Sequence, residues 1–580
     1  MSGRASLSST IVPEQRDEVS QSREDVAAKP PADDGICVDW DGPDDPANPR
    51  NWSLAKKWRI TCICSLITFN IALASTLPTS ATPFIRIYMG MEKEVSYLIT
   101  TMFLLGYVFG PFVWGPGSEL VGRKAMFYVS MVLYLIFIIP SALAKNTATL
   151  LVSRFLTGFF GCAPLALVGG VIADMFPAEG RGLAASLFTV GVFLGPSVGP
   201  IIAGYMLDNA VSWRWIFWLL LIFSGFCVAM LFLFVPETYE PTLLKWKARR
   251  LRKADPQGNA RLYAPNERED WSPAGVFHST IYRPFHMFFT EPILLLVTVY
   301  VSLVYGILYA LFSAIPVVFV TRRNFSISHM GLIFIAVSIG TTLGAFINIV
   351  LSAHYPRLIR EWRGFPPPEQ RLLGAMVGGP LMVVGAFWLG WTGEYADVHW
   401  AAPAGSLILI GASISLVFMS FLSYLVDTYL HYSASAFSVN TTIRSLVAAA
   451  FPLFTTQMFT ELGVNWAGTL IGLVCLVLVP VPFLFYKYGP RIRTSSGYAP
   501  CIVRILQCDV VDRMLIHLFR TSRSLRRSLT TPRPRRRSRT PRSSRRKRRK
   551  RSKYSFKVSR HVYAWVRRVT IIEVASLRTN

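Results

Sequence analysis

The stretch from Val95 to Leu143 reads VSYLITTMFLLGYVFGPFVWG, then PGSELVGRK, then AMFYVSMVLYLIFIIPSAL. Two long apolar runs flank a short segment with two glycines, a proline, one acid and two bases. At 1.5 Å per residue, each run crosses about 30 Å of hydrocarbon. The pattern predicts a membrane-spanning helix, a tight polar turn outside the lipid, and a second span.

Outward from this hairpin the same pattern repeats. Before the turn lies Ile60 to Leu77; after it come Leu150 to Ile172, Leu183 to Met206 and Trp215 to Val235. A polar stretch from 236 to 291 follows, with Lys245, Lys247, Arg249, Arg250, Arg252 and Lys253 near its start. Six further runs cover Pro292 to Val320, Met330 to Leu351, Leu372 to Trp391, Ala404 to Leu425, Ala434 to Phe459 and Trp466 to Phe485. The expectation is an all-α membrane protein with twelve transmembrane helices in two six-helix bundles. Its predicted parts are a disordered cytosolic N-terminal arm (1–57), a first bundle (58–235), a cytosolic central loop (236–291), a second bundle (292–487) and a basic, disordered cytosolic tail (488–580).

Composition agrees. The 580 residues are 52% hydrophobic and 16% charged, with mean hydropathy +0.39, more apolar surface than a water-soluble fold of this size can hide. The net charge of +27 suggests nucleic acid only until it is located: residues 488 to 580 hold 27 of the 60 Lys and Arg and 3 of the 33 Asp and Glu. The membrane body is therefore close to neutral. A run such as Arg545 to Arg551 attracts anionic lipid or RNA, or is a tolerated appendage; the appendage is the plainer account, and no specific nucleic acid is expected.

The eight cysteines show no paired zinc spacing and no disulfide framework. No secretory leader pattern precedes the first run, so that span is expected to target the chain itself. With both termini cytosolic, the inside loops collect Arg123, Lys124, Arg181, the central basic run, Arg261, Arg268, Arg283, Arg357, Arg360, Arg363 and Arg371. The outside loops hold only Arg86, Lys93, Lys145, Arg214, Arg322 and Arg323. That asymmetry places both ends inside.

Several motifs carry chemistry. In the turn, Gly115, Gly117 and Gly122 permit tight backbone while Glu119, Arg123 and Lys124 suit a latch that pairs charges in one conformation and releases them in another. Arg154, in Arg154-Phe155-Leu156-Thr157-Gly158, cannot lose its proton, so it either faces a polar cavity or snorkels to the interface. Gly191, Gly195 and Gly199 make one smooth helical face beside Pro196 and Pro200. Tyr305, Tyr309 and Phe312 lie on one face, suited to flat apolar or cationic compounds, though helix packing explains the same stripe more simply. Asp427 ends the tenth run, as a proton carrier or a plain interfacial cap, and Arg444 lies deep in the eleventh. Asp174 sits near the cytosolic side and reads as a gate residue. No nucleophile-base set, phosphate-binding loop or metal cluster is visible, so neither an enzyme nor ATP as energy source is expected.

The turn resembles the signature loop of the major facilitator superfamily: a glycine (Gly115), an acid four residues on (Glu119), then Gly122-Arg123-Lys124. Gly195-Pro196-Ser197-Val198-Gly199 is similar to the motif that marks antiporters there. Asn51-Trp52-Ser53, Trp213-Arg214-Trp215, Pro236-Glu237-Thr238-Tyr239 and Tyr424 to Tyr429 look like phrases of the fungal twelve-spanner drug:proton antiporters. The resemblance spans roughly 51 to 495. It implies a monomeric exporter of drug-like or toxic small molecules, driven by a proton gradient with no other cofactor, at a plasma or vacuolar membrane. It also implies proton coupling through Arg154, Arg444 and Asp427, and a cavity that includes Asn70 and Asn440. Asn70 replaces the carboxylate that many such antiporters carry. An importer of a nutrient or polyamine, or a non-transporting sensor, shares the same architecture.

Overall fold

The computed structural model describes residues 36–498 except 178–179, 259–260, 265–266, 268–271, 273–274, 276, 363–365, 430–431 and 495. The basic tail beyond 498, the first 35 residues, Arg268 and Arg363 lie outside that set.

Among the described residues there are twelve helical spans: Leu54–Thr76, Lys93–Val121, Arg123–Leu143, Thr147–Met175, Arg181–Asp208, Arg214–Phe234, Pro292–Thr321, Ile327–Ile359, Pro368–Gly393, Ala401–Tyr429, Ser433–Glu461 and Gly463–Thr494. Local chemistry sets their ends and breaks. The side chains of Ser53, Asn146 and Ser326 accept from backbone N–H groups of the first turn they precede. The fourth span breaks at Cys162, two residues before Pro164, and the seventh passes into a π-turn, Val317–Thr321, just after Pro316.

Burial shows which spans line the centre. The most apolar stretches of the first, seventh and tenth spans are 78% buried, whereas those of the third, sixth and twelfth are 39%, 39% and 28% buried. The latter present residues such as Ile222, Leu233 and Val477 outward, as lipid-facing helices do. Small residues permit close backbone approach inside each half: Gly158 abuts Phe103, and Gly344 abuts Ala412. The halves meet along two seams. The fifth span packs on the eighth, with Gly331 against the Pro200 carbonyl; the second packs on the eleventh, where the Thr101 hydroxyl donates to the Ala449 carbonyl at 2.9 Å.

Three expected boundaries shift. Residues 36–57 of the arm are ordered: β1 (Ile36–Cys37) pairs in parallel with β2 (Leu262–Tyr263), and the first span begins at Leu54. Lys57 is tolerated there because its ammonium donates to the Arg50 carbonyl at 2.6 Å, and Lys56 lies over the Trp52 ring. Backbone N–H groups of Ala47 and Asp41 hold the Asp45 carboxyl below its usual range and fix the preceding turn. The central stretch is likewise not plain loop: Glu240–Ala254 and Arg283–Thr290 are helices, and Glu240 accepts from the Trp40 indole at 2.7 Å. The twelfth span runs to Thr494, past the expected start of the tail. All these segments sit on one face of the bundle, which also carries the turn before Arg123; it is called the basic face below.

Candidate functional site

The basic face holds one charge cluster per half. In the first, Gly122 adopts φ +108°, and a Cβ there would collide with the Glu237 carboxylate. Glu237, buried at 4% exposure, accepts from the backbone N–H groups of Arg123, Lys124, Thr238 and Tyr239 at 2.9 to 3.1 Å. Its negative charge thus caps the positive end of the third span. The Arg123 guanidinium turns the other way: its Nε lies 3.5 Å from Asp174, a terminal nitrogen donates to the Ser118 hydroxyl at 2.6 Å, and its plane faces the Tyr239 ring. Gly170 leaves the room for it, since a Cβ there would fall 2.8 Å from the guanidinium carbon. Asp174 on the fourth span and Glu237 at the exit of the sixth therefore both hold this turn.

The second half repeats the arrangement. Arg371 Nε lies 2.9 Å from Asp427, which also accepts from the Tyr355 hydroxyl at 2.5 Å, and the guanidinium stacks on the Tyr355 ring. Beside it, Arg493 forms a two-pronged pair with buried Glu369 at 2.9 and 3.0 Å. The expected grouping of Asp427 with Arg154 and Arg444 is therefore corrected: Asp427 belongs to the basic face. In the sequence Arg371 is visible only as an orientation charge, and nothing local singles out Glu369 or Arg493, because pairing across distant spans leaves no local pattern.

Two further arginines are buried inside the spans. Arg154 is 1% exposed and does not snorkel. Its Nε donates to the Ile99 carbonyl at 3.2 Å, and Nη2 to those of Ala74 and Ser75 at 3.0 and 3.5 Å. Ala74 and Ser75 lie in the last turn of the first span, where carbonyls lack helical partners and the helix dipole is negative. Arg444, 7% exposed, lies against the rings of both Tyr305 and Phe418 at 4.7 and 4.8 Å, and its Nε meets no acceptor among the described residues. Burying an ion costs several kcal/mol; each desolvated ring contact returns about 2 kcal/mol or more, and the buried Nε–H adds no hydrogen bond to that compensation.

Around them, Tyr305, Tyr309 and Phe312 are buried and in ring contact, and Tyr309 donates to the Ser75 hydroxyl at 3.0 Å, joining the seventh span to the first. Phe418 meets Phe193 of the fifth span edge-on. Asn440 donates to Thr298 at 3.2 Å, within the second half. Asn70 is a further correction. Its carbonyl accepts from Tyr134 and Ser224, on the third and sixth spans, so it faces the interior of the first half rather than the seam.

The glycine face of the fifth span lies on the first. A Cβ at Gly191, Gly195 or Gly199 would fall 2.9 Å from the Ser65 carbonyl oxygen, 2.6 Å from that of Phe69, or 2.6 Å from the Thr76 hydroxyl. Pro200 has no N–H to give the Pro196 carbonyl, and the Thr76 hydroxyl donates to it instead at 2.8 Å.

Comparison with known proteins gives the same picture. The family profile described as Major Facilitator Superfamily matches residues 64–452. The chain is 41% identical over 478 residues to an ascochitine biosynthesis cluster MFS transporter of Didymella fabae, covering 81% of this chain and 90% of that one. It is 40% identical over 469 residues to an MFS-type efflux pump of Trichophyton rubrum, covering 80% and 78%. Among solved structures, the major facilitator proton:xylose symporter XylE superposes with a TM-score of 0.55 at 17% identity, covering 75% of this chain and 96% of that one, a likeness of fold. The chain is a multi-pass membrane transporter, not an enzyme, and belongs to the major facilitator superfamily.

Proposed function

We propose that this transporter exports drug-like or toxic small molecules from a fungal cell in exchange for protons, as a monomer in the plasma membrane with its basic face in the cytosol. The observation that carries export is the fifth-span face, where the Gly-Pro-x-x-Gly core and the Thr76 to Pro196 bond fit the antiporter resemblance. The name of the Trichophyton rubrum relative points the same way.

Every Asp and Glu of the twelve spans stands at or near an end, so the proton step is not assigned to a central carboxylate. Asp174 and Asp427 serve better. Each holds an arginine at the base of its half, and protonation removes the charge that keeps Arg123 or Arg371 in place. The basic face then loosens and the halves rock about the two seams. Arg154 holds the ends of the first and second spans together while this happens.

The test is retention of a panel of fluorescent compounds in fungal cells that express or lack the chain, in acidic and neutral medium. Export predicts lower retention in expressing cells, more so in acid. Greater accumulation in those cells would make it an importer, and no difference in any compound would remove the transport reading.

A further inference from the structure

We infer, resting on the export reading above, that the transported molecule is an organic anion whose oxyanion pairs with Arg444 while its flat body lies among Tyr305, Tyr309 and Phe418.

Arg154 and Arg444 are both buried within their spans, and neither can shed its proton. No Asp or Glu stands in the interior of any of the twelve spans, so the protein itself brings no negative group to that depth. The two cations differ in how they are held. Arg154 spends its Nε and Nη2 on three backbone carbonyls. Arg444 rests on two ring faces, with Nε buried and unpartnered and no hydrogen bond or ion pair to its guanidinium among the described residues.

A second observation points to the same place. Ser302 precedes Tyr305 by three residues on one helical face, and its buried hydroxyl also lacks a partner among the described residues. Asn440, four residues before Arg444, leaves its carbonyl unmet as well. Buried polar groups are ordinarily satisfied, so the unmet Arg444 Nε–H and Ser302 hydroxyl are donors that a ligand's oxyanion would meet, and the Asn440 carbonyl is an acceptor for a hydroxyl on the same ligand.

Contacts continue across the seam. Arg154 touches Ser75, Ser75 bonds Tyr309, Tyr309 packs on Tyr305, and Tyr305 lies under Arg444. An aromatic acid placed here meets the positive charge of Arg444 directly, whereas a cation of equal shape meets its repulsion. The ring stripe that in isolation suits cationic compounds is thereby turned toward anions by the arginine it supports. Phe193 reaches Phe418 from the first half, so both halves contribute to the walls and movement of one changes the site.

Thermal unfolding of the purified full chain tests this, with 1-naphthoate and fluorescein as anions and 1-naphthylmethylammonium and rhodamine 123 as cations. The anions should raise the unfolding midpoint in a concentration-dependent way and the cations should not. In Arg444→Gln the apparent affinity for the anions should fall about tenfold or more, and Arg444→Lys should keep the preference for anions at weaker affinity. If Arg444→Gln does not fold, competition in the unaltered protein decides: 1-naphthoate, and not its ammonium counterpart, should displace fluorescein. Protection by the cations alone, by no anion, or to the same degree in folded Arg444→Gln would overturn the proposal. Anion protection without cellular export would strike the export reading and leave the site standing. Export of rhodamine 123 without anion protection would do the reverse.

Discussion

The Arg371 guanidinium lies 2.9 Å from the Asp427 carboxylate, and the Arg123 guanidinium lies 3.5 Å from Asp174 at the corresponding place in the other half. Both pairs are partly shielded from water. A double-mutant cycle over Arg371→Ala and Asp427→Asn should give a coupling of about 1 to 3 kcal/mol in unfolding free energy. The single substitutions should also raise labelling of cysteines placed on the basic face, since each frees one half from its clasp. Purely additive effects with unchanged labelling would mean that the pair holds nothing.

Glu369 and Arg493 are more deeply enclosed and form two parallel bonds. Glu369→Ala leaves Arg493 buried without its acid, and the expected loss is about 3 to 5 kcal/mol, more than for either residue of the Arg371 pair. The exchange Glu369→Arg with Arg493→Glu should recover part of it. Thermal unfolding in detergent reads both.

Gly195 faces the first span most tightly through backbone: a Cβ there would lie 2.6 Å from the Phe69 carbonyl oxygen and 2.8 Å from the Ala72 methyl. Gly195→Val should abolish transport and reduce folded yield. Gly191→Ala, whose added carbon falls 2.9 Å from the Ser65 carbonyl, should be milder. Equal activity of the two in a transport assay would show that the fifth and first spans need not pack so closely.

Arg154 offers three donors in a planar fork to carbonyls on two spans, which a lysine ammonium cannot match in geometry. Arg154→Lys should therefore lower the transport rate about tenfold or more while leaving the chain folded, as read by gel filtration and by initial rates. A lysine variant that transports normally would show that charge alone suffices.

The fold was legible because its main signal is local. Runs such as Val95 to Gly115 declare a span by length and composition, and the Gly122-Arg123-Lys124 end marks the turn. Lys56, Lys57 and Arg59 hid the true start of the first span, because only tertiary partners make those charges tolerable. The site was legible in part. Arg154 and Arg444 stood out as charges in apolar runs, yet what they touch depends on the fold. Asn70 has the sequence position of a cavity residue, but Tyr134 of the third span and Ser224 of the sixth take its side chain. Asp427 found its partner fifty-six residues away, at Arg371, a distance over which no sequence period operates.

The most direct measurement uses purified full-length protein in sealed vesicles with an imposed pH gradient, following one fluorescent solute and lumenal pH together. Proton-driven export predicts solute and protons crossing in opposite directions, with both fluxes lost in Arg154→Ala. Solute moving in the same direction as protons, or no flux under a gradient of either sign, would contradict it.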